Sequence, residues 1–351
     1  MPKWRRYPAR PRNTEIFHRS LLLRAKSALR SFIDSRTASK SDPVEIVAAT
    51  EFRPLAADDL AAVVVARNEV MMLPSFLAHY RGLGVSRFIF LDDRSEDDSL
   101  AFLSRQPDVD LWTSPVRFAE AGGGMQWREA LFARYGFNRW YLNLDADEYL
   151  IYDQYHEKPL QELIKHLESR RCRRLSAPMI DMYPSCAVEQ AQFHGDSGMP
   201  WEVADLFDKD GYEFRMKRQN MLMVGGPRLR KFGLNNQLMK SPLIFWDEAC
   251  SLRQGIHKPL PYTRNFFPIS AVLLHFKFFA DFRAELADAI SDGQHYDNSR
   301  EYKAIATALH PKDTLDFQSE VSTRYEGPQQ MIELGFMQPL WAKIDDEGRH
   351  S

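Results

Sequence analysis

Cysteine is scarce. The 351 residues hold three, Cys172, Cys186 and Cys250, in no spacing that binds a metal or supports redox exchange. An odd number argues against a disulfide framework and favours a reducing compartment. No stretch approaches the roughly 18 to 20 apolar residues of a membrane span, and no apolar signal-peptide core follows Met1. A cytoplasmic location is the expectation. Glycine-rich phosphate loops are missing as well. No G-x-G-x-x-G follows the first strong strand, and G-x-x-x-x-G-K-[ST] is absent, which argues against dinucleotide and P-loop folds. H-E-x-x-H and G-x-S-x-G do not occur. With 44% apolar and 27% charged residues, the chain can bury a sizeable core, in one large domain or in one with an elaborated tail.

Charge is unevenly placed. Of 46 basic and 48 acidic residues, eleven basic and two acidic lie in positions 1–40, so the rest is net acidic. The start, M-P-K-W-R-R-Y-P-A-R-P-R, is Pro-rich and reads as disordered. Residues 16–33 predict a helix, with Leu21, Ala25, Ala28, Leu29 and Phe32 at helical spacing and Arg24, Lys26 and Arg30 between them. Such a helix can lie on the anionic inner face of a membrane or dock on the protein's own body. The acidic remainder shows no clustered basic groove, so nucleic acid is not an expected partner.

Order begins at Leu60. The run L-A-A-V-V-V-A predicts a buried strand ending at Arg67-Asn68-Glu69. A helix over 71–83, a strand over 85–91, a helix over 99–105 and a strand over 109–112 follow. This alternation predicts an α/β fold with a mostly parallel sheet flanked by helices. Gly122-Gly123-Gly124 precedes a helix over 125–135 and is a weak phosphate-cradle signal; Arg128 on that helix joins the nucleotide-binding candidates. Then N-R-W-Y-L-N-L-D-A-D-E-Y-L-I-Y predicts a strand running through Asp145-Ala146-Asp147-Glu148. On a continuous strand Asp145 and Asp147 share a face. Two carboxylates there are costly unless a cation sits between them, and a divalent ion with phosphate oxygens suits. The competing reading is a surface turn with spare acids.

The motifs A-R-N-E, L-D-D-R-S-E-D-D-S and L-N-L-D-A-D-E-Y, in this order and with 53 residues from Asp92 to Asp145, resemble those of the bacterial family 2 glycosyltransferases. The likeness is greatest to the subgroup with an aspartate-x-aspartate-glutamate-aromatic metal motif, and it covers about residues 60 to 155. It implies a GT-A fold, with a nucleotide-sugar-binding part over 41–155, an acceptor-binding remainder over 156–325 and a tail beyond. It also implies transfer from a nucleoside-diphosphate sugar, UDP being expected, to a saccharide or glycolipid hydroxyl in cell-surface polysaccharide synthesis. By that likeness Ala66, Arg67, Asn68 and Glu69 meet the nucleotide, Asp92 or Asp93 contacts base or ribose, and Asp145 and Asp147 hold Mn²⁺ or Mg²⁺ against the diphosphate. For Asp97 and Asp98 a capped helix start is the competing reading.

The second half offers candidates rather than motifs. His275, within V-L-L-H-F-K-F-F, looks like the late histidine that adds a metal ligand in many GT-A enzymes, and His257 competes with it. A core histidine is the alternative for His275. Arg218, Arg228, Arg230 and Lys231 flank Gly225-Gly226-Pro227 and predict a basic loop, near a diphosphate or merely solvated. Inverting transfer needs a carboxylate base. Asp181, at the end of an apparent strand, is preferred, followed by Asp247 and Asp205. A sugar nucleotidyltransferase and a non-catalytic nucleotide-sugar-binding protein are the alternatives.

Overall fold

The computed structural model describes residues 3–8, 20–37, 44–266, 268–294, 296–310 and 313–341. Its strands are β1 (Arg5–Tyr7), β2 (Val47–Ala48), β3 (Ala61–Ala66), β4 (Arg87–Asp92), β5 (Val109–Thr113), β6 (Arg139–Asp145), β7 (Glu148–Tyr152), β8 (Arg174–Met182), β9 (Leu206–Asp208), β10 (Tyr212–Met216), β11 (Met221–Val224), β12 (Met239–Trp246), β13 (Ala271–Phe276) and β14 (Ser322–Arg324). Its helices are α1 (Leu21–Thr37), α2 (Leu73–Gly82), α3 (Ser99–Ser104), α4 (Met125–Tyr135), α5 (Leu160–Ser169), α6 (Gly226–Phe232), α7 (Phe282–Asp292), α8 (Tyr296–Ala308) and α9 (Pro328–Glu333).

Nine strands form the main sheet in the order β2-β5-β4-β3-β6-β12-β8-β13-β7. Strands β3, β4, β5 and β6 run parallel, and β8 and β13 run the same way beyond the antiparallel β12. The sheet is therefore mostly parallel. Successive residues of β3 point to opposite faces. Ala62, Val64 and Ala66 pack with Phe76, Leu77 and Tyr80 of α2, while Ala61 and Val63 pack with Trp127, Leu131 and Phe132 of α4. Covering helices on both faces explain why β3 reads as an unbroken apolar run.

Strand β8 joins the two halves. Its first part pairs with β12, its last part with β13. The change falls at Pro178, which has no amide hydrogen to donate. A smaller cluster around Phe278, Phe282, Leu286, Ile305 and Phe317 fixes α7 and α8 at the end of this half.

The amino-terminal region departs from the expected disorder. Arg5–Tyr7 pairs with Tyr212–Phe214, and Tyr7 is buried with its hydroxyl donating to the Phe336 carbonyl. An aromatic anchor on an existing strand edge outweighs the local Pro-rich composition. The first four residues of the predicted helix, 16–19, lie outside the described residues; the helix itself continues to Thr37. Phe336, Met337 and Leu340 pack back on the core, and Asp153 accepts the Leu340 amide at 2.9 Å. The expected tail beyond 325 is thus packed on the body as far as Trp341, and residues 342–351 lie outside the described residues. Among the described residues no helix is long and apolar enough to cross a membrane.

Candidate functional site

Parallel strands bring their carboxyl ends to one edge, where open α/β sheets bind ligands. Here that edge carries Arg67-Asn68-Glu69 after β3, Asp92-Asp93 at β4, Asp145 at β6, Asp181 at β8 and His275 on β13. Strand β12 runs the other way, so its first residues arrive at the same edge and deliver Lys240.

The expected continuous strand through Asp147 is not found. Strand β6 ends at Asp145, Ala146 and Asp147 form a turn, and β7 starts at Glu148. The reason is topological: β7 leaves for the far edge of the sheet, where Glu148 lies opposite His275. The two aspartates therefore take different partners. Asp145 is paired with Arg128 of α4 and with Lys240. Asp147 lies 3.2 Å from His275 Nε2 and 3.6 Å from Lys277 Nζ. Lys240 also pairs with the fully buried Glu148.

These pairings decide the charges. Burial disfavours ionised Asp147, but the positive His275 and Lys277 hold it well below the usual carboxylate range. Burial likewise opposes ionised Asp145, and Lys240 and Arg128 override it. Burial alone would depress His275; Asp147 and the hydrogen bond to Asp181 push it up to about 9 instead. His275 Nδ1 is 2.6 Å from Asp181 Oδ1. Asp181 in turn accepts from Arg228 Nε at 2.8 Å and Nη2 at 2.9 Å, and Arg228 reaches Glu301 at 2.7 Å. A relay of Glu301, Arg228, Asp181, His275 and Asp147 results.

That relay corrects the base assignment. Asp181 is buried with both oxygens engaged, and despite burial Arg228 and His275 hold it well below the usual carboxylate range. It positions His275 and is a poor proton acceptor. Asp247 follows β12, whose antiparallel course puts it beside Arg139 at the opposite edge; it pairs there with Arg264 at 2.7 Å. Asp205 accepts the Ser185 amide at 3.1 Å and pairs with Arg324, a structural tie. His257 Nδ1 lies 2.9 Å from the Met239 carbonyl; burial, then the charge of Lys240, lowers it to about 4. The predicted basic loop is helix α6, which spends Arg228 on Asp181 and Arg230 on Asp208.

The loops after β3 and β4 are knit together. Asn68, at φ 55°, donates its amide to Ser95 Oγ at 2.9 Å and accepts the Glu96 amide at 2.7 Å through its side-chain oxygen. Ser99 Oγ and Asp97 accept the Glu69 and Val70 amides, each at 3.0 Å. Asp97 thus serves the loop and also receives the Ser99 amide at the start of α3. Asp92 accepts the amide and hydroxyl of Ser95 and is turned into its own loop. Ala66 contributes its carbonyl to the Asp93 amide at 2.9 Å. Burial raises Asp93, opposed by Arg117 and Arg67. Arg128 is buried, its Nη1 donating to Val63, Asn143 and Leu144; it orients Asp145.

Arg117, Asp292, Glu285 and Lys240 escape sequence reading, and Arg67 and Glu69 take partners that it does not show. Arg67 and Arg117 both pair with Asp292 at the end of α7. Glu285, in the first turn of α7, is reached by solvent; enclosure by the protein and then the charge of Asp281 push it up to about 7. Burial and then the charge of Asp147 raise Glu69 well above its usual range. Lys277 was visible in H-F-K, two residues past a candidate ligand. Lys240 gave no signal, because only the direction of β12 makes it matter.

Among the described residues no group of three or more His, Cys, Asp or Glu side chains is placed to hold a metal ion. Asp147 and His275 do face one another, whereas Asp145 is committed to Arg128 and Lys240. The residues present thus offer a metal two donors, Asp147 and His275, once His275 gives up the proton it shares with Asp147, with the rest of the shell left to phosphate oxygens and water.

No family model matches the chain, and no curated protein matches it. Similar solved structures include a 4-diphosphocytidyl-2C-methyl-D-erythritol synthase, 14% identical over 57% of this chain and 79% of that one, with a TM-score of 0.28. A UDP-glucose pyrophosphorylase from Acinetobacter baumanii is 10% identical over 72% and 99%, TM-score 0.29. The inositol-1-phosphate CTP transferase from T. maritima is 10% identical over 79% and 95%, TM-score 0.24. Superpositions this loose fix neither a fold family nor a chemistry.

Proposed function

We propose that this protein is a glycosyltransferase of the GT-A type, as the resemblance to family 2 implies. It takes a nucleoside-diphosphate sugar and moves the sugar to a saccharide or glycolipid hydroxyl. The observation that supports this best is the meeting of three loops at one sheet edge: Arg67-Asn68-Glu69, Asp92-Asp93, and Asp145 to Asp147 with His275. Arg67, Arg117, Lys240 and Lys277 stand at that edge, each paired with a carboxylate, and are the donors there that suit the oxygens of a diphosphate.

Mn²⁺ or Mg²⁺, held by Asp147 and His275, would offset phosphate charge when bound. Asp181 keeps His275 Nε2 aimed at Asp147, and Arg128 and Lys240 fix Asp145. Glu285 is our candidate base. It lies in the first turn of α7, exposed, and near enough to Asp147 and Glu69 for their charges to act on one another. The acceptor oxygen bonds to the anomeric carbon, the bond from that carbon to the diphosphate breaks, and the hydroxyl proton passes to Glu285. Nucleoside diphosphate leaves.

The second reading is a sugar nucleotidyltransferase, the chemistry named for two of the solved structures above. The same four basic side chains favour it equally, since they suit a triphosphate; the A-R-N-E loop, without glycine, suits it less. Purified protein incubated with nucleotide sugars, Mn²⁺ and candidate acceptors decides. Release of nucleoside diphosphate supports glycosyl transfer. Pyrophosphate turnover with nucleoside triphosphate and sugar phosphate replaces it with the second reading.

A further inference from the structure

Helix α1 is amphipathic in the unusual sense. Its buried stripe is polar: Ser27, Ser31 and Asp34, spaced by four and three residues on one face. Ser27 donates to the Arg218 carbonyl. Ser31 Oγ accepts the Tyr262 amide at 2.8 Å, and Asp34 accepts the Tyr262 hydroxyl at 2.6 Å and Arg30 Nε at 2.9 Å. The helix is thus docked largely by hydrogen bonds. Its outward face carries Leu21, Leu22, Leu29 and Phe32, which are 76%, 65%, 61% and 54% exposed. A surface helix ordinarily turns such residues inward.

Charge indicates what covers them. Arg24, Lys26 and Arg36 are exposed on the same helix, with the Arg36 guanidinium 4.3 Å over the Phe32 ring. The acid of this helix, Asp34, is buried and paired. A second copy would bring three cations against three cations. A bilayer with anionic headgroups offers an apolar interior for the leucines and negative charge for the arginines and lysine. We propose that the outward face of α1 docks this protein on an anionic membrane surface. The inference is independent of the reaction proposed above.

Flotation of the full chain with phosphatidylcholine vesicles, with and without phosphatidylglycerol, tests it. Binding is expected only with the anionic lipid and should weaken as salt rises. Lys26→Glu and Arg36→Glu should each lower partitioning by roughly fivefold or more. Leu29→Ser combined with Phe32→Ser should lower it by at least about tenfold. Because these side chains are exposed, the melting temperature and nucleotide binding should stay unchanged, which separates this result from misfolding or loss of the active site. No flotation of wild type overturns the proposal, as does flotation that survives the Leu29 and Phe32 changes. A dimer in sedimentation velocity that these changes dissociate, without vesicle binding, assigns the face to a second copy instead.

Discussion

Asp147 shows how far a residue's meaning depends on its partners. From sequence, removing one of two nearby carboxylates relieves repulsion and raises stability. In the structure Asp147 lies against His275 and Lys277, both largely buried. Asp147→Asn leaves Lys277 without this carboxylate and His275 with Asp181 alone, and should cost about 3 kcal/mol, the scale for breaking a buried pair. Chemical denaturation near neutral pH measures this, and a variant as stable as wild type contradicts the pairing. Calorimetry of nucleoside diphosphate binding should show that the Mn²⁺ dependence is gone. Glu285 carries the pH prediction. Burial, then the charge of Asp281, raises it to about 7, above the ordinary glutamate range. Its contribution to stability is fully present below about 4.5 and is lost as pH rises through about 7. Glu285→Gln should therefore gain on wild type above pH 7, by a small amount because solvent screens this exposed group. If Glu285 is the base, the same variant loses about 100-fold or more in turnover, and the acid limb near pH 7, where wild type loses activity as the base takes up its proton, disappears from the rate profile. A profile unchanged in shape rules it out as the base.

At the scale of elements, α6 and β8 form a support whose purpose was hidden in the chain. Gly225-Gly226-Pro227 flanked by basic residues suggests an exposed phosphate loop. Instead the seven-residue helix turns Arg228 inward onto Asp181. Arg228→Met removes the cation that keeps Asp181 ionised beside His275. It should destabilise the protein by about 3 to 5 kcal/mol and let His275 Nε2 lose its aim. Thermal melts read the first effect. The second appears as weakened Mn²⁺ coupling to nucleoside diphosphate under conditions where the variant remains folded. Normal stability with normal coupling would show that the relay is idle. Such support is hard to read from sequence because Arg228 and Asp181 are far apart in the chain, and nothing local distinguishes a buried arginine from a solvated one.

Across the whole molecule, legibility follows contact range. The Val-rich β3, the apolar β4, the alternating β6, and the helices α2 and α4 announce themselves within a dozen residues, and apart from the break after Asp145 their boundaries shift by at most two positions. So does their arrangement, because strand-helix-strand order constrains a parallel sheet. The direction of β12 does not. It hides Lys240 and misplaces Asp247, since a short apolar strand reads alike in either sense. The break after Asp145 is equally silent: A-D-E-Y continues the alternation that a strand would have. Tyr7 is missed because its partners, Tyr212 and Phe336, come some 200 and 330 residues later.

The turn at Ala146-Asp147 has a further consequence, in time. Strand β7 emerges from the ribosome directly after β6, yet its neighbour in the sheet is β13, which starts at Ala271. During synthesis Asp145 can meet Arg128 early, whereas Asp147 must wait for nearly the whole chain before His275 and Lys277 exist. Loop-closure entropy makes the same order favourable in refolding. Pulse-labelled hydrogen exchange should find amides of Ala61–Ala66 protected before those of Glu148–Tyr152, and simultaneous protection would contradict this. The Asp147 side of the site would then take shape only after β13 has been made and has slotted between β8 and β7.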